Sequence, residues 1–285
     1  MRIERIPLSN PVFLFLMVSL QLSLMGSYAR ATDYQGTIKV GGTGGAYGVM
    51  NEVAAAFQKK YPLVRFYFSP SLGSTGGIKA ALAGALDLGL SSRPLNAAEL
   101  RQGAVAVEYG RTPVMLVTSQ KGAGINFTLK EIASLYAGEI ETYPDGVPIR
   151  LVLRPLVESD TAFLLSLSPE IADAVRKAHA REGMIVATTD RDNADTLEKI
   201  RGAIGWMTLT QLISEKRSVT PLVLEGVRPS LETLASGAYP YSKPFSVVTG
   251  ANPTPLVKAF SEFLTSGEVR EILLKNGLFV DARKP

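Results

Sequence analysis

From residue 36 onward the apolar positions keep changing period. Ile38 and Val40 alternate with polar neighbours as in a strand, and Met50, Val53 and Phe57 then recur at helical spacing until Tyr61-Pro62, where the proline stops the helix. Val64, Phe66 and Phe68 alternate again; Ile78, Ala81, Leu82 and Ala85 return to the helical period; Leu86, Leu88 and Leu90 give a third strand. The same reading predicts strands at 114–118, 149–153, 203–207 and 222–224, and "YPYSKPFSVVTG" leads into a last one. Between them, "FTLKEIASLYAGEI" suits a short helix. Ser168-Pro169 supplies an N-cap and a first-turn proline for a helix over 170–181, with Gly183 as its stop. Two amphipathic helices, 255–264 and 268–275, close the chain. Such alternation predicts an α/β protein whose sheets are covered on both faces.

The first 31 residues follow a different rule. Arg2 and Arg5 precede an apolar block from Pro11 to Leu24, and Ala29-Arg30-Ala31 gives a small-x-small end, the pattern of a secretory signal cleaved after Ala31. The alternative is a membrane anchor, against which Ser19, Gln21 and Ser23 interrupt a run already short of the roughly 20 apolar residues that a span needs. Export to a bacterial periplasm is expected. Half of the formal net charge of +4 belongs to this segment, through Arg2, Arg5 and Arg30 against Glu4, and the remaining basic residues are scattered. That argues against a nucleic-acid partner. With no cysteine in 285 residues, disulfides, thiolate zinc sites and a lipidated N-terminal cysteine are excluded.

Three loops carry the candidate chemistry. "GGTGGAY" follows the first strand, "GSTGG" follows the second, and "ESDTAF" comes shortly after the fourth, each opening a helix pattern. Unpaired N–H groups at a helix start carry partial positive charge, so a loop of this composition makes an anion site from neutral donors. Neither glycine loop fits a nucleotide motif. The first has the spacing G-x-G-x-x-x-G, with no acidic residue at the end of the following strand, and in the second Ile78 stands before Lys79 where a Walker A loop needs glycine. The single histidine, His179, lies in the charged stretch "RKAHAREG" and is expected to be a solvated helix residue. Trp206 is expected in the core, and Tyr47 is balanced between packing and lining a cleft. An enzyme is not expected, since nucleophilic or transition-metal chemistry lacks its usual parts near the loops.

Taken in order, "GSTGGIKAALAGALDLGLSSRPL", "FTLKEIASLYAGEI", "LRPLVESDTAF", "GAIGWM" and "ASGAYPYSKPFSVVTG" resemble the periplasmic phosphate-binding proteins of ABC importers. The resemblance implies a two-lobed type II periplasmic-binding-protein fold, each lobe a mixed sheet flanked by helices, with one lobe from residues 32–111 and 244–285 and the other from 112–243. It implies a monomer without cofactor that captures phosphate or a related tetrahedral oxyanion between the lobes for an importer's permease. The alternative is an oxyanion-sensing or protein-docking module not coupled to transport. Carried over by position, the ligand contacts would be Thr43, Gly44, Gly45 and Ala46 in the first loop, Ser74 and Thr75 in the second, and Arg154, Ser159, Asp160 and Thr161 around the third. Ser92 stands where many phosphate binders have an aspartate, and Arg93 beside it is an additional charged candidate. Asp160 replaces a glycine between the serine and threonine of the third loop. It is either a substitute acceptor for the proton of hydrogen phosphate or a helix cap.

Overall fold

The changes of period resolve into alternating strands and helices in a computed structural model that describes residues 34–120 and 125–280. The expected signal segment, 1–31, lies outside them. Among the described residues the chain runs β1 (Gly36–Gly42), a 3-10 turn (Gly44–Ala46), α1 (Tyr47–Lys60), β2 (Val64–Phe68), α2 (Gly73–Leu82), β3 (Leu88–Ser91), α3 (Ala97–Arg101), β4 (Val105–Thr118), β5 (Asn126–Phe127), α4 (Leu129–Ala137) and β6 (Arg150–Leu153). It continues through α5 (Ser159–Leu165), α6 (Pro169–Ala180), β7 (Ile185–Val186), α7 (Asp190–Lys199), β8 (Ala203–Thr208), α8 (Leu209–Ser214), β9 (Thr220–Pro221), β10 (Val223–Leu224), α9 (Leu231–Ala235), β11 (Ser242–Thr249), α10 (Pro255–Leu264) and α11 (Gly267–Lys275). No helix among the described residues is long and apolar enough to cross a membrane.

One mixed sheet organises these elements in the order β2-β1-β3-β11-β4-β8-β6-β7, with β9 also on β4. β1 lies parallel to β2 and β3, whereas β11 is antiparallel to both β3 and β4. β4 serves two neighbourhoods. Its residues Val105 to Pro113 pair with β11, and Val114 to Thr118 pair with β8, which in turn lies parallel to β6. Apolar cores lie toward both of these ends. In the first, Phe57 of α1 is buried edge-on against Phe260 and Phe263 of α10, with ring centroids 5.1 and 5.2 Å apart. In the second, Ile132, Leu135, Val175, Trp206 and Tyr239 pack together. Each such side chain, taken out of water, contributes about 1.5–3 kcal/mol.

Local signals set the helix starts. Thr128 caps α4 through the Glu131 amide at 3.2 Å while Glu131 reaches back to it, and Ser168 accepts from Ile171 N at 3.1 Å with Pro169 in the first turn of α6. The structure also exceeds the periodicity at several elements, as three of them show. The strand expected at 114–118 begins at Val105, because pairing with β11 overrides the interruption by Glu108, Gly110 and Arg111. The last strand falls within "YPYSKPFSVVTG" itself, as β11. α7 has almost no apolar stripe, burying only Ala194 and Leu197 among its hydrophobic residues, so periodicity gives no sign of it.

Candidate anion-binding site

Close backbone packing brings the first two donor loops together. A β-carbon on Gly77 would lie 2.6 Å from Gly42 Cα and 2.8 Å from Gly41 O, so only glycine lets the start of α2 rest on the end of β1. Ser74, in the first turn of α2, is thereby held beside the end of β3. Its Oγ accepts from the Ser92 amide at 3.0 Å and shares a hydrogen bond with Ser92 Oγ at 3.2 Å. Ser92 Oγ in turn meets Ser159 Oγ at 2.9 Å, across from the start of α5. Three hydroxyls from separate elements thus form one chain, with Ser74 and Ser92 almost fully buried.

Arg154 follows β6 and is 5% exposed. Its guanidinium donates to Ala187 O at 2.7 Å and to Asp190 Oδ1 at 3.0 Å, and it lies 3.6 Å from Asp160 Oδ2 and 3.8 Å from Glu158 Oε2. Its carbonyl accepts from Thr161 Oγ1 at 2.9 Å, so the Thr161 hydroxyl anchors the arginine's backbone. The same carbonyl lies 2.8 Å from His179 Nε2. His179 is half-buried against it, where the sequence predicts a solvated residue, because α6 packs that face toward the end of β6.

The first loop is engaged by the same Asp190 that holds Arg154. Asp190 Oδ2 accepts from Gly45 N at 2.9 Å and from Thr43 Oγ1 at 3.1 Å, while Gly44 packs against the same carboxylate. Ala46 N donates to Thr43 O at 3.3 Å and so closes the 3-10 turn. Tyr47 is half-buried; its hydroxyl accepts from Gly42 N at 3.2 Å and donates to Pro70 O at 3.3 Å. Trp206 is 2% exposed in the core, as its strand pattern predicts.

Asp160 neither caps α5 nor stands free. Its carboxylate is bound by Lys243 Nζ and flanked by Arg154. Burial pushes this carboxyl upward, but Lys243 and then Arg154 outweigh it and hold it below the ordinary aspartate range. Glu158 shifts the other way, raised by burial and only partly relieved by Arg154. Lys243 also donates to Ser159 Oγ at 3.1 Å.

Arg93 and Thr75 stay outside this cluster. Arg93 makes a two-pronged pair with Glu99 at 2.7 and 3.0 Å and donates to Thr75 Oγ1 at 3.1 Å, which turns both away from the three serines. Two participants escaped the loop-based reading. Lys243 left a signal, the one charged residue of β11. Asp190 follows Thr188-Thr189, and the spacing Thr189 to Asp192 is that of a capping box, readable in the sequence although the periodicity is silent there.

The fold, with a polar cluster drawn from both ends of a shared sheet, defines a binding protein of the two-lobed kind. A family model described as the PBP superfamily domain matches residues 27–268, and the chain belongs to that family. Among curated relatives, phosphate-binding protein PstS of Borreliella burgdorferi is 22% identical over 93% of this chain and 96% of its own length. The PstS of Bacillus subtilis is 24% identical over 84% and 78%. Among solved structures, a putative phosphate ABC transporter substrate-binding protein with bound phosphate from Clostridium perfringens superposes with a TM-score of 0.74 at 23% identity, covering 86% of this chain and 99% of that one. An ABC-type phosphate transport receptor from Vibrio cholerae gives 0.61 at 18%, over 85% and 99%.

Proposed function

We propose that this chain is a non-enzymatic solute-binding protein that captures phosphate or a related tetrahedral oxyanion and presents it to an ABC importer. The observation that carries the reading is the meeting of Ser74, Ser92 and Ser159 hydroxyls in one chain that reaches Lys243 beside Arg154 and Asp160. Neutral donors backed by a guanidinium suit a small oxyanion, which accepts many hydrogen bonds at once. Relatives along most of the chain carry the name phosphate-binding protein, which favours phosphate within that class.

In this reading one lobe comprises residues 32–111 and 244–285, the other 112–243, and an oxyanion that touches both favours their closed arrangement. The protein is a periplasmic monomer after cleavage following Ala31. Calorimetric titration with inorganic phosphate, sulfate and phosphate esters tests the ligand, and small-angle scattering with and without the tightest of them tests closure. Saturable phosphate binding with compaction is expected. Binding of none of these anions would refute the assignment.

A further inference from the structure

Lys243 belongs to none of the donor loops, yet its ammonium lies among them. It sits near the start of β11, opposite Thr112 of β4 and just before Pro244, and is 4% exposed. A lysine head this deeply buried requires partners. It has two, Ser159 Oγ at 3.1 Å and the Asp160 carboxylate. An ammonium carries three N–H donors, so these two leave one.

Position gives this third donor its meaning. Ser159 Oγ is bonded to Ser92 Oγ at 2.9 Å, and that to Ser74 Oγ at 3.2 Å, so Nζ stands one hydroxyl away from Ser92 and two from Ser74. Ser92 is neutral, and the charged residue beside it in sequence, Arg93, is committed to Glu99. The cation bonded directly to the hydroxyl chain is Lys243, through Ser159. The bland reading is that Lys243 only neutralises Asp160. However, Asp160 already has a second cation in Arg154, whose Nε lies 3.6 Å from the other carboxylate oxygen.

We infer that Lys243 is an oxyanion-binding residue, which contacts the bound anion together with Ser159 and supplies positive charge at the Ser159 end of the hydroxyl chain. The inference rests on the oxyanion reading above. It brings β11, a central strand of the sheet, into direct contact with the ligand.

A double-variant comparison decides it, with inorganic phosphate and sulfate as probes in calorimetry of the full mature chain. If the wild type binds neither, the oxyanion reading fails first. Given binding, Lys243→Met is expected to weaken affinity by about 10- to 100-fold, the value of a hydrogen bond to a charged group. Lys243→Arg is expected to retain most of it. The bland role also permits a loss in Lys243→Met, so the deciding pair is Asp160→Asn against Asp160→Asn/Lys243→Met. Neither member leaves an unpaired carboxylate at 160, which guards against a folding defect. A further loss of about tenfold in the double variant is expected. Equal affinities would overturn the inference, since Lys243 would then act only through Asp160. If Asp160→Asn itself abolishes binding, Lys243→Arg against Lys243→Met in the wild-type background takes over, with equal losses at unchanged melting temperature overturning the inference.

Discussion

Asp190 at the start of α7 accepts from the Gly45 amide at 2.9 Å and the Thr43 hydroxyl at 3.1 Å, while its other oxygen holds Arg154 at 3.0 Å. A protein carboxylate thus occupies donors that the proposed oxyanion site would use. Replacing it with alanine leaves a buried guanidinium short of a partner, and stability without ligand is expected to fall by about 3 kcal/mol. The anion then gains what Asp190 gives up. Thermal melts with and without saturating phosphate should show a larger ligand-induced rise in Asp190→Ala than in the wild type. A rise no larger than wild type would mean that carboxylate and ligand do not compete.

Asp160 predicts a pH dependence. Despite burial, Lys243 and Arg154 hold its folded carboxyl below the unfolded value of about 3.9, so the folded state binds fewer protons there. The resulting stabilisation is complete above the unfolded value and is lost as pH falls through the lower, folded one. Denaturant unfolding of wild type and Asp160→Asn between neutral and acid pH is expected to show a gap that narrows only in that acid window. A gap that stays constant with pH would refute the charge assignment.

Ser92 is the natural place to alter selectivity. An aspartate there would sit within hydrogen-bonding reach of Ser159, where it accepts the proton of hydrogen phosphate and repels sulfate. Ser92→Asp is expected to raise the phosphate-to-sulfate affinity ratio by at least about tenfold, the scale set by one mispaired charged hydrogen bond. Competition calorimetry would show it. Equal changes for both anions would place Ser92 away from the ligand.

Gly77 tests the scaffold. Because a methyl group there collides with the backbone of Gly41 and Gly42, Gly77→Ala is expected to cost about 1–3 kcal/mol and to move Ser74 off its partners. Both the unfolding midpoint and phosphate affinity should fall. A variant as stable as wild type would show that α2 can shift freely.

Much of this was written in the periodicity. The helix started by Ser168-Pro169, the closing helices and the strand at 203–207 all rest on local signals, apolar spacing and caps, that a single segment carries by itself. Ser74 and Ser159 were legible because loop composition marks helix starts, whereas Arg154 and Ser92 were reached through the family resemblance. Asp190 and Lys243 were not found that way. Their partners, Gly45 and Thr43 for one, Asp160 and Ser159 for the other, are more than 80 residues distant in sequence. The start of β4 was hidden for the same reason, since it is a strand by virtue of β11 and not of its own pattern.

The place of β11 between β3 and β4 has a consequence for how the chain is made. A strand laid down after residue 241 fills a slot between two strands finished by residue 118, so until it arrives both carry open edges. Loop closure over that distance is slow, and exposed edges invite pairing with other chains. A polypeptide that ends before Ser242 is therefore expected to aggregate rather than form a smaller domain, even though it retains most of the second core. Completion of this sheet belongs to the last stage of synthesis or to the interval after it.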